Sequence, residues 1–252
     1  MAEKCGKDQV LDFNKKRLIT NLWGIGQKEI IPLDKNCIFV NSDDTYGWRW
    51  DRPSPVPQTG QTNIAPIAPS VCVGTDPWGG FSTSEYLPIR IRDISSLVLY
   101  ADYIYSVMPS PEDSQNLSYD LWITDTGNPN PSTPRQELMI WLNRINVPMP
   151  EDKRREDVSD GYNTYKQYAW ENYHAFILDV PPQSGLKTHT VDVKKILDYL
   201  LNKGELKGEQ WLALFVLENE VWKGTGKLTV NNMDAYLNGT WVSCPAVMYS
   251  NA

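Results

Sequence analysis

The sequence has few of the residues from which metal and redox sites are built. It contains only two histidines, and its four cysteines, Cys5, Cys37, Cys72 and Cys244, form no C-x-x-C pair. Structural zinc sites and haem attachment need closely spaced Cys and His residues, so we expect no metal and no cofactor. The even number of cysteines is compatible with disulfides and export, although four cysteines allow three pairings.

Long apolar runs and basic residues are also scarce. The sequence has no stretch of about eighteen or more apolar residues, which excludes a membrane-spanning helix. Lys plus Arg is 24 against 31 for Asp plus Glu, a formal net charge of −7. Nucleic acids and anionic membranes bind to basic surfaces, so we expect neither as a partner. A neutral polymer or a small molecule fits this charge balance better.

Chain length and the N-terminus set further expectations. The 252 residues suffice for one sizeable core, and single β-sandwiches reach this length. We therefore interpret residues 1–252 as one domain, and we expect a monomer. The first five residues, M-A-E-K-C, lack the apolar segment of a signal peptide. Either the protein is cytosolic, or it is exported and its chain was cut back and restarted with Met.

Phenylalanine is scarce, whereas the other two large aromatic residues are abundant. The chain has five Phe against ten Trp and thirteen Tyr. Trp and Tyr combine an apolar ring with a polar edge, which is the surface that a sugar needs for stacking and hydrogen bonding. Composition alone favours the simpler interpretation, that these are core aromatics of a β-protein.

Most of the chain alternates between apolar and polar residues with the period of two that is typical of strands. The predicted strands cover residues 18–23, 37–40, 46–50, 97–107, 117–124, 137–143, 165–178, 211–222, 227–230 and 240–248. Residues 190–203 instead show helical spacing, which predicts an amphipathic helix capped by Thr190 or Asp192 and ended by Gly204. We predict an all-β jelly-roll sandwich of two curved antiparallel sheets, with one α-helix packed on the outside.

Alternation along a strand also sorts side chains by face. Glu137, Met139 and Trp141 point to one face of their strand, opposite three apolar residues. A similar face recurs in four other strands: Asp120 with Trp122, Asn21 with Trp23, Trp48 with Trp50, and Glu218 and Glu220 with Trp222. If the five faces coincide, they line one aromatic groove with carboxylates in its floor.

Glycosidic cleavage is a reaction that such a groove supports. It needs two carboxyl groups, one to protonate the leaving oxygen and one to meet the positive charge that develops on the sugar. A separation of about 5–5.5 Å gives retention of configuration, and roughly 6.5–9.5 Å gives inversion. Neither the distance nor the choice among 31 acidic residues follows from composition.

Four segments, in order along the chain, select two of these acids. They are N-L-W-G at 21–24, S-Y-D-L-W at 118–122, E-L-M-I-W-L-N at 137–143 and E-V-W-K-G-T-G-K-L at 220–228. Together they resemble glycoside hydrolase family 12, the endo-β-1,4-glucanases and xyloglucanases. The resemblance spans about residues 5 to 232, and the helix followed by Trp211 also fits it.

The resemblance implies a retaining hydrolase that acts on a β-glucan polysaccharide. Glu137 would be the nucleophile, and Glu220 the general acid that later acts as base. Asp120 matches a carboxylate beside the nucleophile, and Met139 would lie under the reacting sugar. Further substrate contacts would come from Asn21 and Trp23 by their match to the family, and from Trp122, Trp141 and Trp170 by position.

The cysteines acquire roles through the same resemblance. Cys5 and Cys37 match a disulfide of bacterial members, which implies a secreted, extracellular protein. Cys72 is either free or paired with Cys244, and both alternatives stay open.

One residue departs from the family pattern. Glu218 stands two residues before Glu220, where the family commonly has Gly. It is expected either to raise the pKa of Glu220 or to be the acid itself.

Two alternative functions remain at this point. A non-catalytic, lectin-like carbohydrate-binding jelly roll would also use the aromatic residues, but it would not need two acids. A related jelly-roll xylanase also uses two glutamates, and it ranks lower because the matching segments are of the glucanase kind.

Overall fold

A computed structural model describes residues 1–22, 31–53 and 65–242. Within these residues the strands are β1 (Ala2–Cys5), β2 (Val10–Phe13), β3 (Lys16–Ile19), β4 (Cys37–Val40), β5 (Tyr46–Arg52), β6 (Ser70–Gly74), β7 (Ile89–Arg90), β8 (Leu97–Val107), β9 (Ser114–Thr124), β10 (Pro134–Ile145), β11 (Arg154–Ser159), β12 (Thr164–Trp170), β13 (Tyr173–Ile177), β14 (Lys187–Asp192), β15 (Trp211–Leu237) and β16 (Thr240–Trp241). The helical segments of the same residues are α1 (Val193–Lys203) and three short 3-10 turns, Leu33–Lys35, Ile91–Asp93 and Glu151–Lys153. The predicted all-β class with one α-helix is confirmed.

Strand β15 belongs to both sheets of the fold. Residues 211–223 pair with β9 on one side and with β6 and β7 on the other. The rest of β15 pairs with β5 and β8. The front sheet therefore runs β2-β3-β6-β15-β9-β10-β13-β12-β11, and the back sheet runs β1-β4-β5-β15-β8-β14. All these pairs are antiparallel except β10 with β13, which is parallel and departs from the purely antiparallel sheets that we predicted.

Alternation along the front strands separates a main core from the outer face. Leu138, Ile140 and Leu142 of β10 are buried in the main core, together with residues of the back sheet such as Leu99. Met139 and Trp141 belong to a different buried cluster on the other face. The predicted sorting of β10 is confirmed, and it determines which side chains the front sheet presents away from the core.

The helix has the predicted spacing and end. The Asp192 side chain accepts a hydrogen bond from the Lys195 backbone N–H at 3.3 Å, so Asp192 and not Thr190 is the cap. Gly204 adopts the left-handed conformation, with φ 72°, that ends the helix. The apolar face of the helix joins the main core through Val193, Ile196, Leu197 and Leu200.

Three strand predictions differ from the structure. The predicted strand 18–23 ends at Ile19 in β3, and Asn21 lies beyond it with a positive φ of 41°, so the strand alternation used to place Asn21 does not apply. The predicted strand 165–178 is a hairpin of β12 and β13, because Glu171 takes a positive φ of 51° and turns the chain. The predicted strands 211–222 and 227–230 are one continuous strand. The glycines between them do not form a loop: a Cβ at Gly226 would lie 2.2 Å from the Trp50 ring, so glycine allows this close packing.

Strand β6 was not among the predicted strands, although it borders β15 in the front sheet. Its sequence, S-V-C-V-G, is buried throughout and shows no polar alternation. Strand β16 covers only the start of predicted strand 240–248, of which residues 243–248 lie outside the described residues.

The disulfide implied by the family resemblance is present in the structure. Cys5 and Cys37 form a disulfide between the paired strands β1 and β4, as predicted. Cys72 is a free, buried cysteine, and Cys244 lies outside the described residues. No helix in the described part of the chain is long and apolar enough to cross a membrane.

Candidate active site

A cleft of about 800 Å³ lies on the outer face of the front sheet. Strands β3, β6, β15, β9 and β10 contribute its lining, which includes Asn21, Asp120, Trp122, Glu137, Glu218 and Glu220. The cleft borders a second recess of about 250 Å³, which shares Trp122 and Glu137 and adds Trp170 and Tyr173. Space for a ligand therefore extends to both sides of Glu137.

Four carboxyl groups of this face come from three adjacent strands. Glu137 lies on β10 and Asp120 on β9, while Glu218 and Glu220 lie on β15, which pairs with the opposite side of β9. Glu137 pairs with Trp122, so Asp120 is its diagonal neighbour, at a Cβ separation of about 7–8 Å in a regular sheet. The period of two explains why all four side chains share one face.

Glu137 and Glu220 have matching electrostatics. Burial, followed by the charge of Glu220, raises the pKa of Glu137 to about 7. Burial also raises the pKa of Glu220 to about 7, against the opposing effect of a hydrogen bond from Asn116. The Asn116 side-chain amide donates to Glu220 Oε2 at 2.6 Å. Near neutral pH the pair is therefore able to hold one proton between its two carboxyl groups.

The pKa values of the other two acids on this face are raised as well. Burial is the main reason that the pKa of Asp120 and that of Glu218 lie well above their usual range. The charges of Glu137 and Glu220 raise both values further. Burial is the largest cause of the raised pKa in both neighbours on β15, Glu218 and Glu220.

This arrangement supplies what acid-assisted cleavage of a glycosidic bond requires. One carboxyl group of the pair has a proton to give to a leaving oxygen, and the other has a negative charge to meet an electron-poor carbon. The cleft is open to solvent and is walled by Trp122 and Trp78, whose rings meet edge to face at 4.5 Å. Aromatic walls with a carboxylate floor suit a sugar chain.

Comparison with known families identifies the fold and the chemistry together. The sequence profile of glycosyl hydrolase family 12 matches residues 17–238, which is most of the chain. The chain belongs to this family. As a member of family 12 it is a glycoside hydrolase, which confirms the resemblance found in the sequence and disfavours the lectin-like alternative.

Two relatives show how this family membership extends along the chain. Endoglucanase S of Pectobacterium parmentieri is 28% identical over 229 residues, which cover 86% of this chain and 80% of the relative. A xyloglucan-specific endo-beta-1,4-glucanase 1 of Phytophthora nicotianae is 25% identical over 247 residues, which cover 94% of this chain and 92% of the relative.

Solved family 12 structures match the architecture. A family 12 xyloglucanase from Bacillus licheniformis in complex with ligand superposes with a TM-score of 0.75 at 23% identity, covering 94% of this chain and 100% of that one. Endoglucanase Cel12A from Rhodothermus marinus gives a TM-score of 0.73 at 22% identity, covering 94% and 99% of the two chains. At these identities the structures establish the jelly-roll fold.

The predicted substrate-binding residues occupy different positions. Asn21 and Trp122 line the cleft, and Trp170 lines the recess. Trp23 lies outside the described residues. Met139 and Trp141 are almost fully buried and do not line the cleft.

The buried cluster that holds Met139 and Trp141 lies beside the cleft face. Met149, Trp170, Tyr173 and Trp222 pack against this cluster. The Tyr173 hydroxyl donates to the Met139 sulfur at 3.0 Å. Trp141, which we predicted as part of the groove wall, therefore lies beneath that surface, and its contact with substrate stays a prediction.

The proposed contribution of β5 to the groove is wrong. Trp48 and Trp50 lie in the back sheet and are buried in the main core. The Trp48 indole N–H donates to Asn219 Oδ1 at 2.9 Å inside that core. Trp48 and Trp50 do share one face of β5, as predicted, but that face is turned to the core between the two sheets and not to the cleft.

Sequence reasoning missed three residues around Glu137 and Glu220. Asn116 holds Glu220, and its position opposite that residue depends on the register between β9 and β15. Tyr173 lines the recess, and burial, followed by the charges of Glu220 and Glu137, raises its pKa. Trp78 lies in a loop between β6 and β7, where no alternation indicated it.

The pH dependence of stability tests the raised pKa of Glu137. Because the folded-state pKa of Glu137 is raised to about 7, its contribution to stability is present below the ordinary pKa and is lost as pH rises to about 7. Glu137→Gln removes this loss, so at pH 8 the variant should be more stable than wild type by about 1–3 kcal/mol, and the difference should vanish near pH 4.5.

Urea unfolding at several pH values measures this difference. Glu209→Gln is a matched control, because the Glu209 side chain is 76% exposed. An equal pH dependence for wild type and Glu137→Gln would contradict the raised pKa.

Proposed function

We propose that the protein is a retaining endo-β-1,4-glucanase that cleaves cellulose-type, mixed-linkage or xyloglucan chains. The observation that carries this proposal is the pair Glu137 and Glu220, two buried cleft carboxyl groups whose pKa values both lie near 7. Family membership supports the reaction class, and the names of the two relatives support β-1,4-glucan as the substrate class.

The first step forms a covalent glycosyl-enzyme. A carboxylate oxygen of Glu137 bonds to the anomeric carbon while the glycosidic C–O bond breaks. The leaving oxygen takes the proton of Glu220, so no alkoxide is released. The burial that raises the pKa of Glu220 keeps this proton available near neutral pH.

The second step reverses the roles at Glu220. Water attacks the anomeric carbon, its proton passes to the Glu220 carboxylate, and the bond to Glu137 breaks. Two inversions return the β configuration and regenerate both groups. Asp120 is diagonal to Glu137, and burial raises its pKa, so its protonated form would be able to donate a hydrogen bond to the Glu137 carboxylate as the glycosyl bond breaks.

The division of roles rests on the family resemblance. The two pKa values are alike, so electrostatics alone does not distinguish nucleophile from acid. The hydrogen bond from Asn116 engages one oxygen of Glu220 and leaves the other to carry the proton. We therefore assign the acid–base role to Glu220 and the nucleophile to Glu137.

An internal cut needs a site that accepts sugar units on both sides of the scissile bond. The cleft and the recess meet at Glu137 and Trp122, which supports endo action. We propose a single catalytic domain that acts as a monomer without a cofactor. The Cys5–Cys37 disulfide supports an exported, extracellular protein, because disulfides persist in oxidising compartments.

Replacement of each glutamate should separate the two roles. On barley β-glucan, Glu137→Gln and Glu220→Gln should each lower kcat by at least about a thousandfold, since each removes a group that acts only in the transition state. On an aryl cellobioside with a good leaving group, Glu220→Gln should keep much more of its first-step rate, because that leaving group needs no proton.

Reducing-end assays and release of the aryl group measure these rates, with Glu209→Gln as the control. Added azide should accelerate Glu220→Gln by attacking the glycosyl-enzyme without a base, and it should not rescue Glu137→Gln. Undiminished hydrolysis in either glutamine variant would contradict the assigned pair.

Trp78 is expected to bind a sugar ring. Its side chain is 50% exposed, it lines the cleft, and its backbone N–H is held by the Asp76 carboxylate at 2.8 Å. Trp78→Ala should raise KM for cellotetraose about 3–10-fold through loss of stacking, with little change in kcat, and Trp78→Phe should restore part of the loss.

Steady-state kinetics on cello-oligosaccharides checks this expectation. Tyr162→Ala is the matched control, because Tyr162 is also exposed and lies in a turn tied to the start of helix α1 by Asp160 and Asn163. An unchanged KM for Trp78→Ala would exclude the stacking role.

A further inference from the structure

Glu218 is a cleft carboxyl group that the proposed reaction does not use. It lies on β15 two residues before Glu220 and lines the same cleft. Its neighbours across the two adjacent strands are Ser70 of β6 and Ser118 of β9. These small residues leave the longer glutamate side chain room above the sheet.

The carboxyl group of Glu218 has no hydrogen-bond partner in the part of the chain that the structure describes. The residue is only 7% exposed, yet among residues 1–22, 31–53 and 65–242 none hydrogen-bonds to its side chain. Glu220, on the same face, is held by Asn116. Because Glu218 lines the cleft and is not tied to a neighbouring side chain, its carboxyl group is available to hydrogen-bond a ligand that occupies the cleft.

The charge state of Glu218 defines which ligand fits. Burial, followed by the nearby charges of Glu220 and Glu137, raises its pKa well above the usual range, which favours the neutral form of the group. A neutral carboxyl group both donates and accepts a hydrogen bond. A sugar hydroxyl group also donates and accepts, so the two groups are complementary. An anionic ligand would instead be repelled by the acids of this face.

We propose that Glu218 is a substrate-binding residue that hydrogen-bonds a free sugar hydroxyl in the part of the cleft lined by β3 and β6. This inference rests on the proposed function and names a specificity determinant for it. A glucan unit whose hydroxyl at that point is free would be favoured over one that carries a branch or a methyl group there. At the position where the family commonly has glycine, Glu218 adds a polar side chain to the floor of the cleft.

Binding to an inactive background tests the proposal directly. Cellotetraose is titrated calorimetrically into Glu137→Gln and into the same protein with Glu218→Gln, Glu218→Ala or Glu218→Ser added. Loss of the hydrogen bond in the Ala variant should weaken binding about 3–10-fold. The Gln variant keeps a neutral donor and acceptor of the same shape and should bind within about threefold of the parent. The Ser variant, which matches its neighbours Ser70 and Ser118, covers the case in which the Ala variant fails to fold.

Kinetics in the otherwise unmodified protein separates binding from chemistry. Glu218→Ala should raise KM more than it lowers kcat, and Glu218→Gln should recover most of the loss. The ascending limb of the pH–rate profile should stay in place in Glu218→Gln, because a neutral group exerts no charge on the pair. Glu209→Gln serves as the control, since it removes an exposed carboxyl group outside the cleft.

Three results would overturn the proposal. Unchanged cellotetraose affinity in both the Ala and the Ser variants would exclude a contact with the sugar. A loss of kcat in Glu218→Gln as deep as that in Glu220→Gln, again relieved by a good leaving group, would make Glu218 the acid. A Gln variant as weak as the Ala variant would exclude the neutral donor. Failure of the proposed function itself is distinguishable, because wild type would then release no reducing ends from any β-glucan.

Discussion

Electrostatic repulsion among four buried acids is the interaction that determines the chemistry of the cleft. Glu137, Asp120, Glu218 and Glu220 share one face of three adjacent strands, where burial and proximity disfavour more than a few negative charges. All four pKa values are raised, and those of Glu137 and Glu220 lie near 7. A face on which some carboxyl groups are protonated and others are not is what acid-assisted cleavage of a neutral polymer requires. The negative net charge of the chain does not oppose such a substrate.

The fold supplies this face by means of one long strand. The first half of β15 carries Glu218 and Glu220 into the front sheet, and the second half anchors the strand in the back sheet. Glycines at 224 and 226 let β15 continue where a side chain would meet Asp113 or Trp50. Because β9 lies between β15 and β10, the register of both pairs fixes where Glu220 and Glu137 stand relative to each other. Asn116, one residue of β9, adds the hydrogen bond that orients Glu220.

Much of this could be predicted from the sequence, and the failures have physical causes. Period-two alternation correctly separated Glu137, Met139 and Trp141 from the core residues of β10, because one-sided burial leaves a strong pattern. The same pattern misled for Trp48 and Trp50, since alternation says that two residues share a face and does not say which sheet or which side that face meets. Strand β6 escaped prediction because it is buried on both faces. Trp78 and Asn116 depend on loop geometry and register, which single strands do not encode. Glu137 and Glu220 were selected because the motifs around them resemble family 12. The match to the family profile confirms that resemblance, and the roles of the two glutamates stay proposals.

The central claim, that Glu137 is the nucleophile of a retaining reaction, can be tested by trapping the intermediate. In a 2-deoxy-2-fluoro-β-cellobioside the fluorine destabilises the positive charge that develops on the sugar, so it slows both steps. A good leaving group on the same compound speeds only the first step, so the glycosyl-enzyme accumulates. The protein is incubated with this compound, digested, and analysed by mass spectrometry. The account predicts one fluorocellobiosyl group per chain, on the peptide that contains Glu137. A label on Glu220 or Glu218, or turnover with no covalent species, would contradict it.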